Sequence, residues 1–335
     1  MNYKILFYIA LITGTLISIS SYSWMGIWMG LEVNLLSIIP LMSKVKDMMA
    51  SEAALKYFIT QTLASTILLI SIITSSLYFS LNLSINNYIS LIFDSSLLMK
   101  MGAAPFHFWF PVVMEGLNWL NSTIMLTWQK IAPMILIMYS NKNILYLFIV
   151  ITLSMMISGF MGMNQTSLRK ILTYSSINHI GWMISATLIS PTIWTYYFII
   201  YCLITFNITV IFWMLNVFHV NQLFNSMNHN PMIKFFFMMN FFSLGGLPPF
   251  LGFLPKWLLI NSLILSNFYF LTFMMTIMTL FTLYFYIRIT FSSILINKMQ
   301  INYTILTKNK FNFIMISNFI ALISLIVITT SINFL

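Results

Sequence analysis

Four ionisable side chains stand inside long apolar runs of this sequence: Glu32, Lys100, Lys130 and Lys256. A charge at the centre of a membrane-spanning helix costs roughly 2.5–3.5 kcal/mol, so residues kept at that depth commonly serve a function. Burial and like-charge neighbours disfavour a charged lysine, whereas a nearby carboxylate favours it. We therefore expect Glu32 to pair with one lysine, and at least one other lysine to lose its proton near neutral pH. A proton relay requires groups of this kind.

Helix-breaking residues lie beside two of these lysines. The stretch LLMKMGAAPFHFWFP at 97–111 carries Lys100, and NFFSLGGLPPFLGFLPKW at 240–257 carries Lys256. Backbone groups freed by such residues are tolerated at membrane depth only inside protein or beside a water-filled cavity. The expected helix breaks are Gly102, Pro105, Pro133, Gly245, Gly246, Pro248 and Pro249.

The composition excludes several classes of protein. The chain has 335 residues, of which 60% are hydrophobic and 6% charged, whereas soluble domains carry about 25% charged residues. The net charge of +10 is scattered between apolar runs and forms no basic patch for nucleic acid. The single cysteine, Cys202, cannot form an internal disulfide, a zinc cage or a thiolate-bound cluster. No phosphate-binding motif for ATP or NADH is present, and His107 and His179 are too few to hold paired haems.

These properties predict an all-α integral membrane protein. A spanning helix needs about 20 apolar residues, and eleven runs satisfy this length. Their expected limits are 3–22, 25–43, 55–80, 88–108, 120–139, 143–163, 169–189, 194–216, 233–254, 267–290 and 312–333. The ninth run is interrupted and could extend to about residue 260. The longest connections are expected at 43–54, 109–119, 217–232 and 291–311.

The spans suggest an inverted repeat within a single membrane domain, 1–335. Spans at 3–140 and at 143–290 form two five-helix units, and the broken helix is fourth in each. Units with an odd number of spans are inverted relative to each other, and paired broken helices indicate a transport path. His179, in the span that corresponds to that of Glu32, is therefore a further candidate for proton relay.

The loop cations predict the orientation of the chain. Alternate connections collect ten Lys or Arg on one side and only Lys142 on the other. By the positive-inside rule the N-terminus faces the matrix or cytoplasm, and the C-terminus lies opposite. The remaining acids are expected nearer the surface. Asp94 is placed near the start of the fourth span, Asp47 and Glu52 in one connection, and Glu115 in another.

Six stretches together resemble the chain 2 family of mitochondrial NADH–ubiquinone oxidoreductase, the antiporter-like membrane subunits of respiratory complex I. The resemblance runs nearly end to end, and the A/T-rich codon bias suggests an insect-like mitochondrial genome. The stretches are WMGLEVNLLSIIPL at 28–41, LKYFITQTLAS at 55–65, LLMKMGAAPFHFWFPVVMEGL at 97–117, LTWQKIAPM at 126–134, SLRKILTYSSINHIGWM at 167–183 and FFSLGGLPPFLGFLPKW at 241–257.

The resemblance implies an antiporter-like fold with a hydrated polar axis. Glu32 matches the family's paired glutamate, Lys100 and Lys256 match the broken-helix lysines, Lys130 matches the central lysine, and His179 lies in the linking region. The chain itself is expected to bind no cofactor, because FMN, iron–sulfur clusters and ubiquinone belong to other parts of the complex. Expected partners are the antiporter-like chain 4, the small subunits 4L and 6, and lipids such as cardiolipin, in the mitochondrial inner membrane.

Two other functions are compatible with the same residues. A stand-alone cation/proton antiporter could use the lysine array, although it would need a cation site and Glu32 alone looks insufficient. A structural helix bundle with no conduction would keep the charges as salt bridges or as lysines that reach toward the membrane surface.

Overall fold

The computed structural model describes residues 2–43, 47–80, 86–140, 143–227, 231–248 and 250–295. Within these ranges the regular structure is helical, and the only β-type pairing is one isolated bridge between Ser167 and His219. The chain divides into two compact units, Met1–Ser154 and Met155–Leu335, which are described separately below. The fold class expected from the sequence, all-α, is therefore confirmed for the described residues.

The first unit contains seven helices and a 3₁₀ turn, and α8 runs from it into the second unit. They are α1 Asn2–Ser20, α2 Trp24–Met42, α3 Met48–Ser80, α4 Asn86–Met101, α5 Trp109–Gly116, α6 Trp119–Leu126, the 3₁₀ turn Trp128–Lys130, α7 Ile131–Tyr139 and α8 Ile144–Met163.

The second unit continues with six helices. They are α9 Leu168–Ile189, α10 Pro191–Leu215, α11 Val220–Met227, α12 Pro231–Gly245, α13 Phe253–Leu265 and α14 Tyr269–Leu295.

Among the described residues, six helices are long and apolar enough to cross a membrane without interruption: Tyr3–Ser20, Trp24–Met42, Met48–Leu77, Ile144–Met163, Pro191–Leu215 and Tyr269–Ser293. They coincide with six of the eleven expected spans. Four more expected spans are helical but fall outside this group, and each carries or borders one of the candidate relay residues. The eleventh, 312–333, lies outside the described residues.

Several expected boundaries were wrong in detail. The span expected at 88–108 ends at Met101, and the connection expected at 109–119 contains α5. The span expected at 120–139 is interrupted at the 3₁₀ turn. The ninth span stops at Gly245, and the chain re-enters a helix, α13, that reaches Leu265. Eight-residue helices such as α5 and α11 are too short to give a clear periodic signal, which is why both were expected as connections.

The helix that carries His179 is enclosed by the second unit. Every side chain of α9 from Ile171 to Thr187 is buried, including Ser175, Ser176 and Asn178. A helix that is buried all round can carry polar groups only if other helices supply their hydrogen-bond partners. Asn178 Nδ2 accordingly donates to Thr282 Oγ1 of α14 at 3.1 Å. This polar content explains why α9 is absent from the six apolar spans.

Two long-range hydrogen bonds fix α2, which carries Glu32. Asn121 Nδ2 of α6 donates to the carbonyl oxygen of Leu41 at 2.9 Å. Trp28 Nε1 donates to the carbonyl oxygen of Ser65 on α3 at 3.2 Å. Both ends of α2 are thus tied to neighbouring helices of the first unit, so its central residues hold a defined position.

Candidate functional site

The first helix break follows Lys100 directly. Gly102 has φ of 74°, a left-handed conformation that costs other residues roughly 1–2 kcal/mol. The amide of Ala103 donates to the carbonyl oxygen of Leu98 at 3.1 Å, and Trp109 Nε1 donates to that of Met99 at 3.1 Å. The last carbonyls of α4 are therefore satisfied from beyond the break, while Pro105 follows a cis peptide bond after Ala104.

Lys100 borders a small polar chamber inside the first unit. Its side chain is buried, and the cavity beside it measures about 10 Å³, close to the minimum that holds one water molecule. The lining residues are Leu31, Asn34, Leu35, Tyr57, Gln61, Lys100, Gln129 and Pro133. These come from α2, α3, α4, the 3₁₀ turn and α7, so five elements meet at this point.

A chain of side-chain hydrogen bonds crosses the polar chamber. Tyr57 Oη donates to Gln129 Oε1 at 3.4 Å, and Gln129 Nε2 donates to Asn34 Oδ1 at 3.0 Å. Gln61 Nε2 donates to the carbonyl oxygen of Lys100 at 3.4 Å. These four residues were missed in the sequence because amides and hydroxyls carry no charge. The sequence could have indicated these residues only as polar side chains within apolar runs.

The Lys100 ammonium donates no direct hydrogen bond within the part of the chain that the structure describes. An ammonium has three donors, and leaving them unmet in a buried site is costly. The polar chamber beside it has polar walls and space for about one water molecule. Water is therefore the chemically suitable partner for this lysine.

Glu32 acts on Lys100 through space. Its carboxylate exerts an attractive electrostatic interaction on the lysine, but no direct salt bridge joins the two among the described residues. The Oε1 atom of Glu32 is enclosed and has no hydrogen-bond partner in the same ranges. The expected pairing is thus electrostatic, across a gap, and leaves one carboxylate oxygen of Glu32 without a direct partner among the described residues.

Lys130 is the most deeply buried of the three candidate lysines, with 1% of its surface exposed. It ends the 3₁₀ turn between α6 and α7, so it lies at a helix interruption and not in mid-helix as expected. Pro133, an expected break, lies in the first turn of α7, where an amide hydrogen would have no partner within the helix. The Lys130 Nζ lies 5.7 Å from the ring centre of Phe110 on α5.

Asp94 is a further buried charge of the first unit, although its expected place near the start of the fourth span put it nearer the surface. It lies in the ninth position of α4 and is fully buried. Ser140 Oγ donates to its Oδ1 at 2.7 Å, whereas Oδ2 has no hydrogen-bond partner among the described residues. The described part of this unit therefore holds the fully buried Asp94 and the half-buried Glu32 together with the buried lysines Lys100 and Lys130.

Lys256 bridges the second helix break by hydrogen bonds. This residue lies in the first turn of α13, and its Nζ donates to the carbonyl oxygens of Gly245 at 2.8 Å and Leu244 at 3.3 Å. These carbonyls form the negative end of the α12 dipole, which stabilises a positive charge. Gly246 has φ of 76°, and Pro248 lies in the loop. Pro249 lies outside the described residues.

His179 lies one turn of α9 from the residue that Lys256 contacts. The Nζ of Lys256 is 5.8 Å from the ring centre of Trp182, and positions three apart on a helix share a face. The Nδ1 of His179 and the hydroxyl of Tyr197 on α10 are 2.8 Å apart. The second unit thus places the imidazole of His179 on α9 one helical turn from Trp182, whose ring the buried Lys256 of α13 approaches.

The arrangement provides ionisable groups that can bind and release protons. No group of three or more His, Cys, Asp or Glu side chains that could hold a metal ion occurs in the described ranges. Glu32, Lys100 and Lys130 lie in the first unit, together with the polar chamber. His179 and Lys256 lie in the second. Each unit therefore combines buried titratable groups with a helix break.

Comparison with known proteins gives the family. Residues 21–282 match the family described as NADH:quinone oxidoreductase/Mrp antiporter, TM. NADH-ubiquinone oxidoreductase chain 2 of Aedes aegypti is 50% identical over 329 residues, with 97% of this chain and 96% of the relative covered. The protein of the same name from Anopheles gambiae is 48% identical over 333 residues, with 97% and 96% covered.

Solved structures agree on the fold. A chain of respiratory complex I from Thermus thermophilus superposes with a TM-score of 0.85 at 20% identity, covering 97% of this chain and 77% of that chain. A chain of the Mrp complex from Dietzia superposes with a TM-score of 0.72 at 16% identity, covering 84% and 59%. The chain belongs to the NADH:quinone oxidoreductase/Mrp antiporter membrane family and, within it, to the family of NADH-ubiquinone oxidoreductase chain 2.

Proposed function

We propose that this chain is a core membrane subunit of a proton-translocating NADH:ubiquinone oxidoreductase, respiratory complex I. The relatives that bear the chain 2 name match it over nearly their whole length. Electron transfer from NADH to ubiquinone takes place in other subunits, with FMN and iron–sulfur clusters that this chain does not hold. The chain contributes the movement of protons across the mitochondrial inner membrane.

The relay runs through Glu32, Lys100 and Lys130 in the first unit and through His179 and Lys256 in the second. The observation that carries this proposal is the Lys100 ammonium beside a polar chamber with space for water. A change in charge at Glu32 alters the affinity of Lys100 for a proton, because the two interact across a gap. Lys130 then responds through the hydrogen-bond chain that leads to its neighbour Gln129.

In this proposal the whole chain folds into eleven membrane spans, arranged as two inverted five-helix repeats and a final helix. The N-terminus faces the matrix and the C-terminus faces the intermembrane space, as the loop cations suggest. The partners are other membrane-arm subunits, above all the antiporter-like chain 4 and the small subunits 4L and 6, with cardiolipin among the lipids.

The test is Lys130→Met in the intact complex, reconstituted into sealed liposomes. We expect electron transfer from NADH to a ubiquinone analogue to continue, while the number of protons moved per electron falls. Lys56→Met is the matched control, because Lys56 is 46% exposed and pairs with Glu52 at 2.5 Å on the surface of α3. A native proton-to-electron ratio in Lys130→Met would indicate a structural, non-conducting subunit.

A second candidate is a stand-alone cation/proton antiporter, favoured by the likeness of the fold to an Mrp chain. It predicts Na⁺- or K⁺-dependent proton exchange in liposomes that contain this chain alone. It also requires a cation site, and no cluster of three metal-ligating side chains occurs in the described residues. Exchange by the isolated chain would favour this candidate over the complex I subunit.

A further inference from the structure

The position of Asp94 relative to the polar chamber follows from two antiparallel helices. Lys100 of α4 and Pro133 of α7 both line the chamber. Asp94, six residues earlier on α4, meets Ser140, seven residues later on α7. With a rise of 1.5 Å per residue, Asp94 lies about 9 Å along α4 from Lys100. The direction is toward the surface where α7 ends and α8 begins.

A second polar pair continues from Asp94 to that surface. Ser90, one turn earlier on the same face of α4, accepts a hydrogen bond from Asn143 Nδ2 at 2.7 Å. Both side chains are partly exposed, whereas Asp94 is fully buried. The carboxyl group is thus the inner member of two polar pairs, of which the outer one is partly exposed.

The surroundings of Asp94 suit a group that gains and loses a proton. Ser140 both donates and accepts hydrogen bonds, so it can stay bound to either form of the carboxyl group. The carboxylate also acts electrostatically on the Tyr146 hydroxyl of α8. Its Oδ2 atom has no partner among the described residues, and a buried carboxylate oxygen requires a proton, a water or a cation.

An apolar barrier separates this carboxyl group from the polar chamber. Leu97 and Leu98 follow Asp94 on the same helix face, and both are fully buried. Protons therefore do not pass freely between Lys100 and Asp94 in this conformation. A barrier between two titratable sites prevents protons from leaking back. A proton pump requires such a barrier as well as a conducting path.

We propose that Asp94, with Ser140, is the proton-exchange site between the polar chamber of the first unit and the membrane surface at the α7–α8 connection. This inference rests on the proposed function. The carboxylate takes up one proton from the chamber side when water bridges the leucine barrier. It then releases that proton to water beyond Ser90 and Asn143, so the residue returns to its starting state. Under the proposed orientation this surface faces the intermembrane space.

The experiment measures protons moved per electron for the reconstituted complex with Asp94→Asn, a change that keeps the shape of the side chain and prevents ionisation. We expect electron transfer to continue and the ratio to fall as far as in Lys130→Met. Asp94→Glu should restore the ratio. The exposed Asp47, changed to Asn, is the matched control and should leave the ratio unchanged.

The outcomes separate the inference from the proposed function. A native ratio in Asp94→Asn together with a lowered ratio in Lys130→Met overturns the inference and leaves the proposed function standing. Native ratios in both variants overturn both. If Asp94→Asn does not assemble, infrared difference spectra of turnover in the native and Asp94→Glu complexes decide. A carboxyl band that shifts between them supports the exchange site, and identical carboxyl bands overturn it.

Discussion

The Nζ atom of Lys256 lies 2.8 Å from the carbonyl oxygen of Gly245, so a lysine of α13 caps the helix that ends before the break. The ammonium of Lys256 therefore binds the last carbonyl oxygens of α12. Proton affinity at this lysine and the geometry of the break are therefore coupled, because a change in one alters the other.

Gly246→Ala should displace Lys256. A β-carbon at Gly246 would lie 2.7 Å from Cδ and 2.9 Å from Nζ of Lys256, and φ of 76° adds roughly 1–2 kcal/mol of strain. We expect fewer protons per electron in the reconstituted complex. Gly245→Ala is the control, because its β-carbon would meet nothing closer than 3.7 Å. Equal ratios in the two variants would show that the cap does not matter for pumping.

Gly252→Ala should destabilise the second break itself. A β-carbon there would collide with the carbonyl group of Ser243, and these backbone atoms cannot move aside as the end of a flexible side chain could. Overpacking costs about 1–3 kcal/mol and occasionally more. We expect less assembled complex on native gels and faster thermal inactivation than for Gly245→Ala. Native assembly and heat resistance would contradict the close approach of these two backbone segments.

Gln129→Leu should weaken the polar chamber without removing a charge. The variant loses the hydrogen bonds to Asn34 and Tyr57 and leaves a buried amide oxygen unpaired, at a cost of roughly 1–3 kcal/mol. We expect continued quinone reduction with a lower proton-to-electron ratio. Gln165→Leu is the control, since among the described residues that side chain bonds to the local, exposed carbonyl oxygen of Met161. A ratio unchanged from native would show that protons bypass Gln129.

Tyr197→Phe should alter proton transfer at His179. The substitution removes only the hydroxyl that lies 2.8 Å from His179 Nδ1 and keeps the packing of the ring. We expect slower proton movement at an unchanged amount of assembled complex. The neighbouring Tyr196 is 60% exposed, so Tyr196→Phe should behave as native. If both variants pump at the native rate, His179 is a structural residue of α9.

The sequence predicted charged residues better than neutral ones. Lys100 and Lys256 stand out because charges are rare in apolar runs, and the neighbouring glycines and prolines mark the two breaks. Gln129 and Asn34 gave a weaker signal, because a single amide in a membrane helix serves structure as often as function. Their partnership joins residues 95 positions apart, which local patterns cannot indicate.

Asp94 shows why the burial of a charged side chain is harder to predict from the sequence than the presence of a membrane helix. The fourth span was expected to begin at residue 88, which placed Asp94 near a surface. In the structure α4 begins at Asn86, and the end of α7 covers the carboxyl group through Ser140, 46 residues away. Burial of this acid depends on tertiary packing between two helices, and no local pattern in the sequence reports it.

The most direct test of proton conduction is a high-resolution map of the chain within its complex. We expect an ordered water in the polar chamber, within hydrogen-bond distance of the Lys100 ammonium and of a polar group on Gln129 or Asn34, and further waters toward Lys130. A dry chamber, with the lysine bonded directly to protein groups and apolar side chains filling the space between Lys100 and Lys130, would contradict the proposed relay.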